Sequence, residues 1–427
     1  MISVWLNKHF ERIVDNVPYK DFDLDHLGNE LWSPKIQYEL YKFLNKFDIP
    51  IERKRIFVDE LNEKDHNIIW LSVPLLASVP YVLKNISSDV LEFIKQNNIE
   101  VVIHGAKESF DWFFIPYVPE PGLTPAWSFS RELDKVFSEV DIPKSLVKIL
   151  VNNVDLPPMR NGECIRVLPN FWPIYMSMKH RGDFIVYKNL KSKRKYNFCY
   201  LAGQLVAREF RIKFIVRAKE EGLLNDKFLL TKIGPQDSGE LKKVLAAFKH
   251  IDDPEDAKWF SNKNEEFISE VLKTYLIDSE NREIDLDGLY RGMEEWYLPE
   301  AALNSHVHIA IETRINVNSV TEKTYKPIIA KLPFLVLGPQ NMTKTLTDLG
   351  FKLYDEVFDY SFDRYAYVDD RIKVLVEELK RLSTTNLSEI HDILKPKLEY
   401  NRKVFLEMSE DKSEWLYALT GDREYVS

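Results

Sequence analysis

The chain has 427 residues, enough for two or three domains at about 150 residues each. Its 58 Lys and Arg against 67 Asp and Glu leave a net charge of −9, which argues against a protein that coats nucleic acid while allowing a local basic patch. Glycine is scarce, 14 residues in all, and neither a G-x-G-x-x-G nor a complete Walker A sequence occurs, so a glycine cradle for phosphate of the dinucleotide-fold or P-loop kind is excluded.

In chain order, Met1 to Arg12 places charges where a signal peptide needs an apolar run. Lys54–Val58 reads as a strand. The longest uncharged stretch, Ile68–Leu83, is too short for a bilayer and is cut by Pro74 and Pro80, so it reads as buried core. A helix is predicted at Asp89–Lys95, a strand at Ile99–Ile103 ended by Gly105, and a buried segment at Phe110–Ile115. Leu133–Val151 carries apolar residues at helical spacing, broken by Pro143. Glu163–Leu168 is a strand closed by Pro169. Alternating strands and helices predict an open α/β sheet.

Composition shifts at the basic run Tyr187–Lys195, which reads as a solvated linker or, alternatively, a polyanion patch. A second α/β pattern follows. Strands are predicted at Tyr196–Leu201, Phe228–Thr231, His306–Ile311 and Pro333–Leu337, and helices at Arg208–Glu221 with Gly222 as cap, Asn341–Leu349 and Asp370–Leu382. The tail Leu387–Met408 is a helical pattern interrupted at Pro396. Two cysteines, Cys164 and Cys199, make neither a disulfide framework nor a four-ligand zinc site and fit a reducing cytoplasm. The expected fold class is α/β, two Rossmann-like domains facing a cleft, with a C-terminal helix. The domains are expected at 1–190, 191–385 and, for the terminal helical segment, 386–427.

The stretch Ile309–Gly338 carries the chemistry. An apolar strand ends at Glu312, beyond whose carboxyl end open α/β sheets bind ligands. A loop leads to a helix opening with Glu322, Lys323 and Lys326. Helical spacing sets Glu322 and Lys326 on one face, with Lys323 about 100° away. The helix start offers unpaired N–H groups to an anion. A carboxylate beside two cations there suits a nucleotide, the acid accepting from ribose hydroxyls and the lysines neutralising a diphosphate. The structural alternative is a capping box, Ser319-Val-Thr-Glu322, with Glu322 and Lys326 as a simple i, i+4 pair.

This segment resembles the donor-binding region of GT-B glycosyltransferases, closest to a phage and bacterial group with a (Ser/Thr)-Glu-Lys-Thr-x-Lys-Pro-Ile helix. The matching residues are Thr321-Glu-Lys-Thr-Tyr-Lys-Pro-Ile328, Pro333-Phe-Leu-Val-Leu-Gly338, Leu349-Gly-Phe-Lys352 and Ser361-Phe-Asp363. Leu201-Ala-Gly-Gln204, Arg208-Glu-Phe-Arg211 and Asn401-Arg-Lys-Val-Phe405 are similar to further parts of the group, and the fucosyltransferase family shares a Glu-Lys step. The resemblance covers about half the chain, Tyr196 to Phe405; the N-terminal half matches nothing.

The resemblance implies that Glu322 hydrogen-bonds the donor ribose and that Lys323 and Arg211 contact the diphosphate. Arg208, Lys326, Glu312 and Thr321 complete the expected donor set. Side-chain cations then replace a metal ion, so neither metal nor cofactor is expected beyond the nucleotide-sugar donor. Asp285-Leu-Asp287 has the spacing of a metal motif but lies in an acidic stretch read as a solvated loop. If the reaction inverts the anomeric centre, a base is needed; Glu108, Asp111 and His104, behind the Val101–Ile103 strand, are the candidates, with Glu108 preferred. His306 and His308 share a strand face without an evident third metal ligand and read as structural. Phe171, Trp172 and Tyr175 are candidates for an acceptor cleft.

The sequence thus predicts a metal-independent glycosyltransferase, hexosyl- or pentosyl-transferring, that moves sugar from a nucleotide diphosphate to an acceptor hydroxyl. A cytoplasmic location without membrane insertion is expected, the host cytoplasm if phage-encoded. The phage-type resemblance implies hydroxymethylated DNA bases as one acceptor, with the basic run steering the polyanion. The alternatives are a glycan or protein acceptor, or a non-catalytic nucleotide-sugar-binding protein of the same fold.

Overall fold

A computed structural model describes residues 2–6, 51–52, 66–72, 83–84, 88–105, 129–151, 166–169, 194–202, 209–232, 298, 300–315 and 317–408. The chain divides into two units, Met1–Ser177 together with Ser409–Ser427, and Met178–Met408.

The first unit is built on six strands: β1 (Ile2–Leu6), β2 (Ile51–Glu52), β3 (His66–Ser72), β4 (Glu100–Gly105), β5 (Val147–Val151) and β6 (Arg166–Pro169). Their order is β2-β1-β3-β4-β5-β6 and every pairing is parallel. Parallel sheets are covered on both faces, which explains the short apolar runs of β4 and β5. Val101, Val102, Val147 and Ile149 are buried, and so is Lys148, whose ammonium donates to Glu100 at 2.6 Å on the neighbouring strand. Helix α1 (Ser88–Gln96) buries Ile94, and α2 (Phe129–Glu139) buries Leu133 and Val136.

One sequence expectation is corrected here. The helical pattern of Leu133–Val151 holds only to Glu139; beyond Pro143 a 3-10 turn at Lys144–Leu146 leads into β5. Proline disfavours helical backbone in the residue before it, and the run Val147-Lys-Ile-Leu-Val151 then pairs with β4 and β6. The expected strand Lys54–Val58 and the segment Phe110–Ile115 lie outside the described residues.

The second unit holds β7 (Tyr196–Ala202), β8 (Phe228–Lys232), β9 (Ser305–Ile311) and β10 (Phe334–Leu337), in the order β10-β9-β7-β8 and again all parallel. Both β9 and β10 are buried along their whole length. From β7 the chain proceeds to β8 on one side, and β9 then lies on the other. The carboxyl ends of β7 and β9 therefore flank a topological switch point, where loops diverge and open a crevice.

Around this sheet lie α3 (Glu209–Glu220), α4 (Glu300–Leu303), α5 (Glu322–Ile329), α6 (Met342–Asp348), α7 (Val368–Ser383) and α8 (Ile390–Glu407). Two helices stop on glycines in the left-handed region, Gly222 (φ 71°) after α3 and Gly350 (φ 91°) after α6. In each case the residue after the glycine bonds back to the helix, Leu223 N–H to the Ala218 carbonyl and Phe351 N–H to that of Leu346. Lys213 of α3, buried, donates to both carboxylate oxygens of Asp369 in the first turn of α7, at 2.7 and 2.9 Å. Tyr325 of α5 packs on Phe405 of α8, ring centroids 5.2 Å apart. Contrary to the expected interruption, α8 runs unbroken through Pro396. That proline is exposed, so the carbonyl one turn back loses only a bond that water can replace. Among the described residues no helix is long and apolar enough to cross a membrane.

Candidate functional site

Glu312 directly follows β9 and is fully buried. Its carboxylate accepts from the Thr321 N–H at 3.1 Å, from the Thr321 hydroxyl and from the Thr324 hydroxyl. Buried carboxylates persist when hydrogen-bonded in this way. Three donors from the start of α5 thereby tie that helix to the end of β9. Thr321 is the helix cap, its backbone extended and its hydroxyl accepting from the Lys323 N–H at 3.4 Å. The alternative reading, a capping box from Ser319, is not formed: Glu322 is the first helical residue, and the buried Ser319 hydroxyl has no partner among the described residues.

Glu322, Lys323 and Lys326 come together on this helix start. Lys323 donates to the Glu322 carboxylate and, at 3.0 Å, to the Thr313 hydroxyl across the loop. Burial raises the Glu322 pKa, but Lys323 and Lys326 outweigh it and bring the group down to about 2. The carboxylate is therefore ionised at neutral pH and stands ready to accept. Arg211 of α3 is buried and donates from its guanidinium to the carbonyl of Ile311, the last residue of β9, at 3.3 Å and to that of Glu312, just after it, at 3.2 Å. Arg211, Glu312, Thr321, Glu322, Lys323 and Lys326 thus gather at the carboxyl end of β9, beside the switch point.

The loop between β9 and α5 is fastened from outside as well. Thr345 of α6 donates to Asn318 at 2.9 Å, and the buried Arg371 of α7 donates to the Ile315 carbonyl at 3.4 Å and to those of Tyr365 and Ala366. Asp363 accepts from the N–H groups of Met342 and Thr343 at 3.1 and 2.8 Å and so caps α6, with burial raising its pKa. Thr313, Thr324 and Arg371 were not singled out from sequence. Thr324 stood within the Thr-Glu-Lys-Thr motif, but its partner and that of Arg371 are set by tertiary structure alone.

Beneath the helix, His308 of β9 is buried, and burial together with Lys326 lowers its pKa to about 3. Its Nδ1 has no partner among the described residues. No group of His, Cys, Asp and Glu suited to a metal occurs among the described residues. Of the candidate bases, His104 lies on β4, and only its backbone is described. Glu108 and Asp111 lie outside the described residues, as do Arg208, Asp285, Asp287, Phe171, Trp172 and Tyr175.

Fold and site together define an α/β protein of two parallel-sheet units, with a polar, charge-bearing helix start at the switch point of the second. No family model matches the chain, and no curated protein matches it in sequence. Among solved structures, one described as trehalose-6-phosphate from E. coli bound with UDP-2-fluoro glucose is similar at 11% identity, over 98% of this chain and 86% of that one, with a TM-score of 0.40. An alpha,alpha-trehalose-phosphate synthase (UDP-forming) from Burkholderia vietnamiensis is similar at 8% identity, over 97% and 81%, with a TM-score of 0.33. AviGT4, a glycosyltransferase involved in Avilamycin A biosynthesis, is similar at 11% identity, over 95% and 99%, with a TM-score of 0.27. Likenesses at this level leave the functional assignment to the site residues themselves.

Proposed function

We propose that this chain is a GT-B-type glycosyltransferase that takes sugar from a nucleotide diphosphate bound at the start of α5. The observation that carries the reading is the ionised Glu322 held between Lys323 and Lys326 at a helix N-terminus beside the switch point. Glu322 accepts from the ribose hydroxyls. The Lys323 ammonium, now shared between Glu322 and Thr313, turns to the diphosphate, and Lys326 adds a second charge. Arg211, buried behind the strand end, contributes fixed positive charge rather than an exposed fork.

In the transfer step the acceptor oxygen bonds to the anomeric carbon while that carbon's bond to the β-phosphate oxygen breaks. The nucleoside diphosphate departs with the electron pair, its developing charge met by the lysines and the helix N–H groups. The acceptor proton passes to a base, for which Glu108 is the proposed group in an inverting reaction. Because side chains carry the positive charge, turnover is expected to be unchanged in excess EDTA. For the acceptor, the sequence resemblance raises hydroxymethylated DNA bases as one candidate, with a glycan or a protein equally open. Of the described part of the basic run, however, Arg194 turns inward to the Ser305 carbonyl, at 2.7 Å, and Lys195 alone is exposed.

The experiment is release of nucleoside diphosphate from a panel of nucleotide sugars by purified protein. Release from at least one donor is expected. Binding of a nucleoside diphosphate without release from any donor, with candidate acceptors present, would favour the non-catalytic alternative.

A further inference from the structure

Beyond the lysines of α5 the site continues onto another element. Lys323 links the Glu322 carboxylate to the Thr313 hydroxyl, and Ile315 follows two residues later in the loop that leaves β9. The buried Arg371 of α7 donates to the Ile315 carbonyl at 3.4 Å and, from its other terminal nitrogen, to those of Tyr365 at 3.0 Å and Ala366 at 3.3 Å. A guanidinium is a small, rigid fork, so carbonyls that share one lie close together. The segment Tyr365–Ala366 is thereby held beside the loop. Two residues earlier, Asp363 anchors the same segment to the start of α6. Asp369, in the first turn of α7, takes both bonds from Lys213 of α3, the helix that carries Arg211. The start of α7 is therefore tied to the β9–α5 loop through Arg371 and to α3 through Asp369.

At this tethered point stands Tyr367, the residue that precedes α7. Its carbonyl accepts from the Arg371 N–H at 3.2 Å, so it lies one turn before the arginine that ties α7 to the loop. It is 72% exposed, the most exposed large hydrophobic side chain among the described residues. Asp370, three residues on, is exposed as well. An accessible aromatic ring near an exposed carboxylate suits a sugar: the ring covers a C–H face and the carboxylate accepts from hydroxyls.

The sequence of contacts matches the sequence of groups in a nucleotide sugar. With the ribose at Glu322 and the diphosphate at Lys323 beside Thr313, the next group along the donor is the sugar, and the next side of the site is Ile315 with the tethered Tyr367. The nucleobase, attached to the other end of the ribose, leads away from this line. We propose that Tyr367 and Asp370 receive the transferred sugar and select a neutral hexosyl group, an inference that rests on the donor reading of α5. Tyr367 supplies the stacking face. Asp370 accepts from sugar hydroxyls and repels a sugar that carries its own carboxylate, so one side chain serves both attraction and exclusion.

Calorimetric titration of the whole chain tests this, with UDP, GDP and dTDP, with the glucose and mannose esters of the diphosphate that binds, and with its glucuronate ester. Tyr367→Ala should weaken the neutral hexosyl esters about fivefold, the scale of one aromatic contact, and leave the bare diphosphate as in the wild type. Tyr367→Phe keeps the ring and should keep the affinity. Asp370→Asn should reduce the preference for neutral over glucuronate ester about tenfold, as expected for a hydrogen bond to a charged group. Both positions are exposed, so the variants should melt with the wild type. Glu322→Ala, in contrast, should weaken diphosphate and esters alike. Hexosyl-ester affinity unchanged in Tyr367→Ala would overturn the inference, as would an equal loss for ester and bare diphosphate. If either occurs while diphosphate binding still depends on Glu322, the donor reading of α5 survives and this inference alone falls. A wild type that binds none of the three diphosphates removes both.

Discussion

Glu312 and Glu322 flank one loop, yet their surroundings give them different tasks. Glu312 is buried and saturated by Thr321 and Thr324, so it organises the site. Its replacement by Ala strands a backbone N–H and two hydroxyls in the interior, at about 1 to 3 kcal/mol for each unpaired group. A thermal melt of Glu312→Ala is therefore expected to fall by several degrees or more, while Glu322→Ala, on the partly exposed helix start, should melt close to the wild type. His308 adds a pH signature. Burial, then Lys326, lowers its folded pKa from 6.5 to about 3, so the unfolded chain takes the proton first as pH falls. The stability it contributes is whole above pH 6.5 and is lost progressively toward pH 3. His308→Phe fills the same volume without titrating and should lower the acid-unfolding midpoint, read by circular dichroism; an unchanged midpoint would remove His308 from the acid response.

At the scale of elements, the junction of β10 and α6 is tight. A Cβ on Gly338 would lie 2.9 Å from Cγ of Met342, so Gly338→Ala is expected to destabilise by about 1 to 3 kcal/mol in a denaturant titration, the usual range for overpacking. Elements set by local chemistry were legible in the sequence: the glycine stop after α3, the strands β7 to β10, and the α5 start with its Glu-Lys pair. Elements decided by distant partners were not. The cap of α5 moved from Ser319 to Thr321 because Glu312, across the loop, orients the Thr321 hydroxyl. The carbonyls that Arg211 meets, at Ile311 and Glu312, lie far along the chain from it. Several residues that carried the family resemblance serve the fold. Asn401 bonds both the N–H and the carbonyl of Lys352, at 2.8 Å each, and Phe405 packs on Tyr325.

At the scale of the molecule, an acidic chain gathers Lys323 and Lys326 beside an ionised carboxylate at a helix start, at the carboxyl end of one parallel sheet. Net charge and glycine content did not speak to this, since both are averages over 427 residues. The order β10-β9-β7-β8 was likewise invisible in the sequence, because strand neighbours are chosen by tertiary packing, and it is this order that sets α5 beside a switch point. The most direct test of the central claim is calorimetric binding of UDP, GDP and dTDP to wild type, Glu322→Ala and Lys323→Ala. One diphosphate should bind the wild type and lose tenfold or more in affinity in each variant, the range for hydrogen bonds to charged groups. Equal affinity in all three proteins, or no binding of any nucleotide by the wild type, would contradict a donor site at the start of α5.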